Sequence, residues 1–287
     1  MKDKNLRLHR LNSLMSWIDR NGLKGFDPYD IKCHSNLTRS VYHDHLGLGI
    51  LGKTISYGLF EVLDIRFPSL LRKLFAVSKK EYATSSSHIA QAMIYRNQEK
   101  AQVDSILDAL WQKRLQKNDH PGWGLSFTWG TKDRRFTPEV SLTVVNVWVG
   151  EAFLLAYDKW GDKDYLEKAV SIADGIISVC GYTKIEEGKI CFHYSDKTQD
   201  QIHNANLLAA SYLIKCFERS GQENFKELAI KAVDFSISRA NQDGTLPYKS
   251  GNDGLQSKND LYHCGYEIRS IYYVGKILEN SSYIDFA

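Results

Sequence analysis

From about Thr137 to the C-terminus the sequence repeats one pattern: helix, short turn, helix, long loop. The repeats start near residues 139, 201 and 260, a period of about 60 residues. Val144, Val145, Trp148, Phe153 and Leu154 lie at helical spacing and predict a helix over 139–159. The turn W-G-D-K-D follows, and Asp162 is placed to cap a second helix over 163–179. After a loop over 181–200 the unit recurs as helix 201–219, turn S-G-Q-E-N and helix 225–240. A loop over 241–258 then leads into a last helix over 260–278. Equivalent loops carry related punctuation: G-W-G-L-S-F from 122, C-F-H-Y-S from 191 and G-T-L-P-Y from 244. In such an array each hairpin buries its apolar face on its neighbours.

With aromatic-rich loops gathered at one end, the hairpins are expected to close into an all-α domain, an α/α toroid of five to six hairpins spanning residues 1–287. The first half adds helices over 4–21, 33–47, 54–77, 84–97 and 100–117. The first of these is expected to pair with 260–278 and close the ring. A hydrophobic content of 43% with 25% charged residues suffices for such a core.

Net charge is +3, and Lys and Arg are scattered among acids, so nucleic acid is not an expected partner. The five cysteines form no CxxC pair and give neither a disulfide framework nor a zinc site. The N-terminal M-K-D-K-N-L-R-L-H-R has no apolar run of the secretory kind. The most apolar early stretch, 47–63, is broken by Lys53 and Glu61 and is too short to span a bilayer. A cytoplasmic location is expected, without a transmembrane segment.

Polar residues collect where helices that follow long loops should begin. His43 and Asp44 lie in V-Y-H-D-H; Glu139 and Asn146 lie on the helix after G-W-G. His203, Asn204 and Asn206 open the next, and Tyr262, His263 and Tyr266 the last. These starts are expected to line the mouth of a central cavity, with His203 and Asn206 sharing one helix face and Tyr262 and Tyr266 another. Converging helix N-termini favour an anionic ligand, and Arg134 and Arg135 add charge. Other readings stay open: Asp200 as an N-cap, Asn204 and Asn206 as ties between loops, Tyr262 and Tyr266 as packing. His43, Asp44 and His45 lack a third spaced ligand, so no metal and no cofactor is expected.

The segments G-F-D-P-Y-D (25–30), G-W-G (122–124), T-V-V-N-V-W-V-G-E-A (143–152), C-F-H-Y-S-D-K (191–197), H-N-A-N-L-L (203–208), Q-D-G-T-L-P-Y (242–248) and Y-H-C-G-Y (262–266) occur in that order. Together they resemble a bacterial and archaeal family encoded in surface-polysaccharide gene clusters, whose members carry labels such as prenyltransferase-like or polysaccharide biosynthesis protein. The resemblance spans nearly the whole chain, and H-N-A-N-L-L and D-P-Y-D are its most specific parts. It implies an α/α toroid and a link to capsule, exopolysaccharide or O-antigen assembly, and it carries over no catalytic residue. Where the family pattern has aromatic-His-Thr-Gly, this chain has Tyr262, His263, Cys264 and Gly265. Neither a prenyltransferase zinc set of Asp, Cys and His nor an acidic DxDD motif can be assembled.

A glycan in the cleft suits two reactions. Hydrolysis needs opposed carboxylates, and among Asp44, Glu139, Asp196 and Asp260 no pair stands out. Proton abstraction beside a uronate carboxylate needs a base, an acid and groups that neutralise the carboxylate. His203 and His263 are candidate bases, and Tyr194, Tyr262 and Tyr266 candidate acids. Asn204, Asn206 and Arg135 are candidate carboxylate holders, and Trp123 and Trp129 loop aromatics for sugar stacking, with His43, Asp44 and Glu139 as further cleft residues. The expected function is a glycan-processing enzyme of C5-epimerase or lyase type acting on an acidic oligosaccharide or lipid-linked glycan. A glycoside hydrolase and a non-catalytic carbohydrate-binding or scaffold protein are the alternatives.

Overall fold

The structure is a computed structural model that describes residues 2–130, 134–185, 188–250 and 259–287. Of the loop expected over 241–258, the last eight residues lie outside the described ones. The chain divides into two compact units, Met1–Ser86 with Leu125–Pro138, and Ser87–Gly124 with Glu139–Ala287.

The first unit carries α1 (Lys2–Asn21), α2 (Asn36–Tyr42), α3 (Gly49–Ile55), α4 (Val62–Arg66) and α5 (Pro68–Leu74). A wide helical turn over Ser56–Glu61 joins α3 to α4. The single helix expected over 54–77 breaks at Phe67–Pro68, because proline lacks an N–H and its ring collides with the preceding turn. α2 starts on a capping box, Ser35 accepting from the Thr38 N–H and Thr38 from the Ser35 N–H. Ile31, Val41, Tyr42, Leu71 and Val77 form this unit's core. Beside that core Arg72, 2% exposed, is caged by acids. Its Nη1 donates to Asp64 at 2.6 Å, its Nη2 to the Asp27 carbonyl at 2.8 Å, and its Nε lies 2.9 Å from the Asp30 carboxylate.

The second unit holds most of α6 (Ala83–Tyr95), then α7 (Lys100–Gln112), α8 (Thr143–Trp160), α9 (Lys163–Gly175), α10 (His203–Ser220), α11 (Glu223–Ile237), α12 (Leu261–Ile277) and α13 (Ser281–Phe286). α8 and α10 each run 18 residues and end on a left-handed glycine, Gly161 (φ 69°) and Gly221 (φ 73°). Glycine fits there because a Cβ disfavours that backbone region. Asp162 caps α9 by accepting from the Asp164 N–H, as its position suggested. α8 and α10 are buried along most of their length, whereas α9 and α11 bury one stripe each, as in an inner and an outer layer. Close approach of α8 and α10 rests on Gly150: a Cβ there would stand 2.1 Å from the Tyr212 hydroxyl, which itself donates to the Ala169 carbonyl.

The long loops are not structureless. Leu115–Lys117 pairs with His120–Gly122, Tyr182–Lys184 with Ile190–Phe192, and Gln201–Ile202 with Lys249–Ser250, all antiparallel. Ribbons of two or three residues are too short to show the alternation that marks a strand in sequence. They also trim the expected helices. Helix 100–117 ends at Gln112, and the helices expected from 139 and 201 start at Thr143 and His203 because the residues before them are extended.

Candidate functional site

The polar starts of the inner helices divide into ties and exposed groups. Asn146 accepts from the Trp123 N–H at 2.7 Å and donates to Ser141 Oγ at 2.9 Å. One repeat later, Asn206 accepts from the Phe192 N–H at 2.9 Å and donates to the Ala232 carbonyl and Ser236 Oγ. Each asparagine thus anchors the ribbon that precedes its helix. Buried backbone groups need such partners, and a carboxamide supplies donor and acceptor together. Asn206, 0% exposed, is therefore a tie rather than a holder of substrate carboxylate.

His203 is 0% exposed and stacked on Phe235. Its Nδ1 lies 3.0 Å from Ser236 Oγ and its Nε2 2.6 Å from Ser250 Oγ. Burial, with a smaller contribution from Arg239, pushes its pKa down to about 4. A ring with no exposed edge and both nitrogens engaged does not serve as the base expected of it. Asp200 is not the N-cap of α10 either. That position is Ile202, and the Asp200 carboxylate sits 2.9 Å from Lys249 Nζ. Asn204 differs from its neighbours: it is buried, yet its Oδ1 has no hydrogen-bond partner among the described residues.

The start of α12 is open. Asp260 caps it by accepting from the His263 N–H at 2.9 Å, and the same carboxylate lies 2.8 Å from His263 Nδ1. Tyr266 donates its phenol to the Tyr262 oxygen at 2.7 Å. Burial, followed by the hydrogen bond to Tyr262, holds the Tyr266 phenol up at about 12. Tyr262, Tyr266 and Arg269 fall four and three residues apart, on one face of the helix. The Tyr266 ring meets Trp148 on α8 at 5.4 Å, and the Arg269 guanidinium lies 5.4 Å from both rings. Trp148 also meets the exposed His88 of α6 at 5.0 Å, and His263 meets Tyr248 at 5.0 Å. Three inner helices thus contribute to one wall of aromatic, imidazole and guanidinium groups.

The remaining candidates do not join this wall. Trp123 is 3% exposed and its indole N–H donates to the Leu110 carbonyl, which makes it core rather than a sugar platform. Tyr194 is half-buried, and its phenol is pushed up to about 12 by burial and by the Tyr248 phenol. Glu139 is exposed, four residues before α8. Asp196 is bonded to Lys117 and accepts from the Ser141 N–H. His43, Asp44, Trp129 and Arg135 belong to the first unit. There Trp129 stacks on Phe136, Arg135 and Asp44 are exposed, and burial lowers the pKa of His43, whose Nε2 is buried without a partner.

Each unit has a cavity. In the second unit a space of about 280 Å³ is walled by Gln91, Glu151, Asp158, Lys215, Arg219 and Arg269, among others. Lys215 is paired with Glu151, and Arg219 holds both oxygens of Asp158. Arg269 makes no ion pair among the described residues, so it alone of these cations is uncompensated and links the cavity to the aromatic wall. In the first unit a space of about 570 Å³ is walled by Trp17, Phe26, Asp27, Tyr29 and Lys32. The D-P-Y-D segment forms part of that wall.

No family model matches the sequence, and no curated protein matches it. Solved structures do. A glycoside hydrolase family 76 mannosidase from Bacteroides thetaiotaomicron is 15% identical, covers 71% of this chain and 56% of its own, and has a TM-score of 0.54. A D-mannose isomerase gives 13%, 71%, 56% and 0.53. The cellobiose 2-epimerase from Bacillus thermoamylovorans gives 10%, 72%, 57% and 0.51. The fold is an α/α toroid. The chain spans a little over half the length of these three proteins. At these identities the likeness speaks for the fold, and chemistry has to be argued from the residues.

The sequence reading missed Glu267 on α12. It is 3% exposed; Asn259 Nδ2 donates to its Oε2 at 2.7 Å, and its Oε1 is buried without a partner. Burial pushes its pKa from 4.5 up to about 7. A lone acid in the buried stripe of 261–277, with Ser270, Ile271 and Val274, was the available signal. A folded-state pKa above the unfolded one means that the folded state holds the proton more tightly. The associated stability is complete below about pH 4.5 and is lost as pH rises through 7. Glu267→Gln mimics the protonated form. It is expected to be more stable than the parent by about 3 kcal/mol at mildly alkaline pH and equal to it in acid. Urea unfolding at both pH values measures this; a difference that does not change with pH would mean that Glu267 is not held protonated.

Proposed function

We propose that the chain is a glycan-processing enzyme that abstracts the C5 proton of a uronate residue, as a C5-epimerase or lyase, in the making of a surface polysaccharide. The observation that carries this reading is the face of α12 where Tyr262, Tyr266 and Arg269 line up beside the Asp260–His263 pair. Asp260 engages His263 Nδ1, which leaves Nε2 as the base toward C5. Arg269 faces the substrate carboxylate and offsets the charge that builds on it as the proton leaves. The Tyr262 phenol returns a proton to the opposite ring face in an epimerase, or protonates the departing glycosidic oxygen in a lyase. Tyr266, which stays protonated, donates to the Tyr262 oxygen and fixes its position. Trp148, buried behind this face, packs against Tyr266 and Arg269 and holds them in place.

The sugar epimerase and isomerase among the fold neighbours support proton chemistry on this scaffold. The five cysteines, none of them in a disulfide, suit a reducing cytoplasmic setting. A second reading, hydrolysis, is favoured by the three family 76 glycoside hydrolases among the fold neighbours, and by Glu267, whose pKa near 7 suits a general acid.

Proton NMR of uronate oligosaccharides in deuterated water tests the first reading. The parent is expected either to place deuterium at C5, as an epimerase, or to release a C4=C5 unsaturated product, as a lyase, and His263→Ala and Arg269→Ala to slow that reaction by about 100-fold or more. Cleavage to saturated products without exchange, abolished by Glu267→Gln, would replace it with the hydrolase reading. Saccharide binding with neither exchange nor cleavage would leave a carbohydrate-binding protein.

A further inference from the structure

The segment 48–74 of the first unit is apolar on both sides. Inward, Phe60 and Leu63 pack against the core that contains Leu71. Outward, Ile50 is 85% exposed, Ile65 75% and Leu74 73%, with Leu51, Leu59, Val62, Phe67 and Leu70 each at least half exposed. Leu59, Val62 and Ile65 recur three residues apart, and Leu70 and Leu74 four apart, so the exposed apolar residues recur at helical spacing. A helix that is apolar all round is not finished by water; it is covered by something apolar.

The charges of the same stretch point to one occupant. Between residues 46 and 80 the only acids are Glu61, paired with Lys32, and Asp64, buried against Arg72. Lys53, Arg66, Lys73 and Lys79 are all exposed. Solvent therefore meets large apolar side chains interleaved with uncompensated cations, the pattern of a segment that lies in an anionic lipid interface. No helix among the described residues is long and apolar enough to cross a membrane, which leaves binding in the plane of the surface as the mode.

We infer that α3, α4 and α5 dock the first unit onto an anionic lipid bilayer, with Ile50, Ile65 and Leu74 inserted and Lys53 and Lys73 against the headgroups. This stands independently of the reaction proposed for the second unit. The test is co-sedimentation of the full chain with vesicles of phosphatidylcholine alone or mixed with phosphatidylglycerol. Sedimentation with the mixed vesicles is expected, weakened by added salt.

The triple variant Ile50→Ser, Ile65→Ser, Leu74→Ser is expected to bind at least about tenfold more weakly. Its circular dichroism and melting should not change, since all three side chains are exposed. Lys53→Glu with Lys73→Glu should remove the preference for phosphatidylglycerol. Failure to sediment with either vesicle overturns the inference, as does full binding by the triple variant. Self-association of the parent in light scattering, lost in the triple variant and without vesicle binding, would instead assign the face to a second copy of this chain.

Discussion

Asn206→Ala is expected to destabilise the protein by about 3–5 kcal/mol, with no direct effect on any ligand. The substitution removes the acceptor for the Phe192 N–H and the donors to the Ala232 carbonyl and Ser236 Oγ, all inside the core. Each buried group left unpaired costs about 1–3 kcal/mol, and Ser236 also serves His203, so the loss spreads into a second residue. Asn146→Ala should behave alike, because it strips the Trp123 N–H in the preceding repeat. Urea denaturation with ligand affinity measured in parallel separates stability from binding. A loss below about 1 kcal/mol together with weaker saccharide binding would return Asn206 to the substrate, as the sequence first suggested.

Arg72→Met is expected to cost about 3–5 kcal/mol and to act on the first unit. Methionine fills much of the arginine's volume but leaves the carboxylates of Asp30 and Asp64 buried without their cation. The Asp27 carbonyl loses its donor in the same step. Unpaired buried charge is what makes breaking one partner so much worse than replacing the whole cluster. Asp30→Asn with Asp64→Asn in the Arg72→Met background should therefore recover part of the loss. Thermal unfolding of the single and triple variants decides it; equal melting temperatures for parent and Arg72→Met would mean that the cage contributes nothing.

The hairpin period, the helix–turn–helix units and the cap at Asp162 were legible in sequence, because each depends on residues within a few positions of one another. The wall on α12 was legible in part: Tyr262, His263 and Tyr266 share a helix start, whereas Trp148 and His88 come from other helices. Arg269 sat at readable helical spacing from Tyr262 and Tyr266, yet nothing local showed that its neighbours would leave it without an ion pair. The H-N-A-N segment was conspicuous for the right reason, polar residues in a buried helix, but its meaning lay elsewhere in the chain. His203 and Asn206 are satisfied by Ser236, Ser250, Phe192 and Ala232, none closer than 14 residues away.

What the sequence by itself determined is the all-α hairpin array and its turns, since helical periodicity, left-handed glycines and N-caps act through local backbone geometry. What only the tertiary structure decided is which polar residues are spent inside and which remain available. It assigned His203, Asn206, Asn146 and Arg72 to the interior and left Asp260, Tyr262 and Arg269 exposed and His263 half-buried. Burial and hydrogen-bond satisfaction are set by partners brought together from distant positions, and a buried polar group is stable only where those partners arrive.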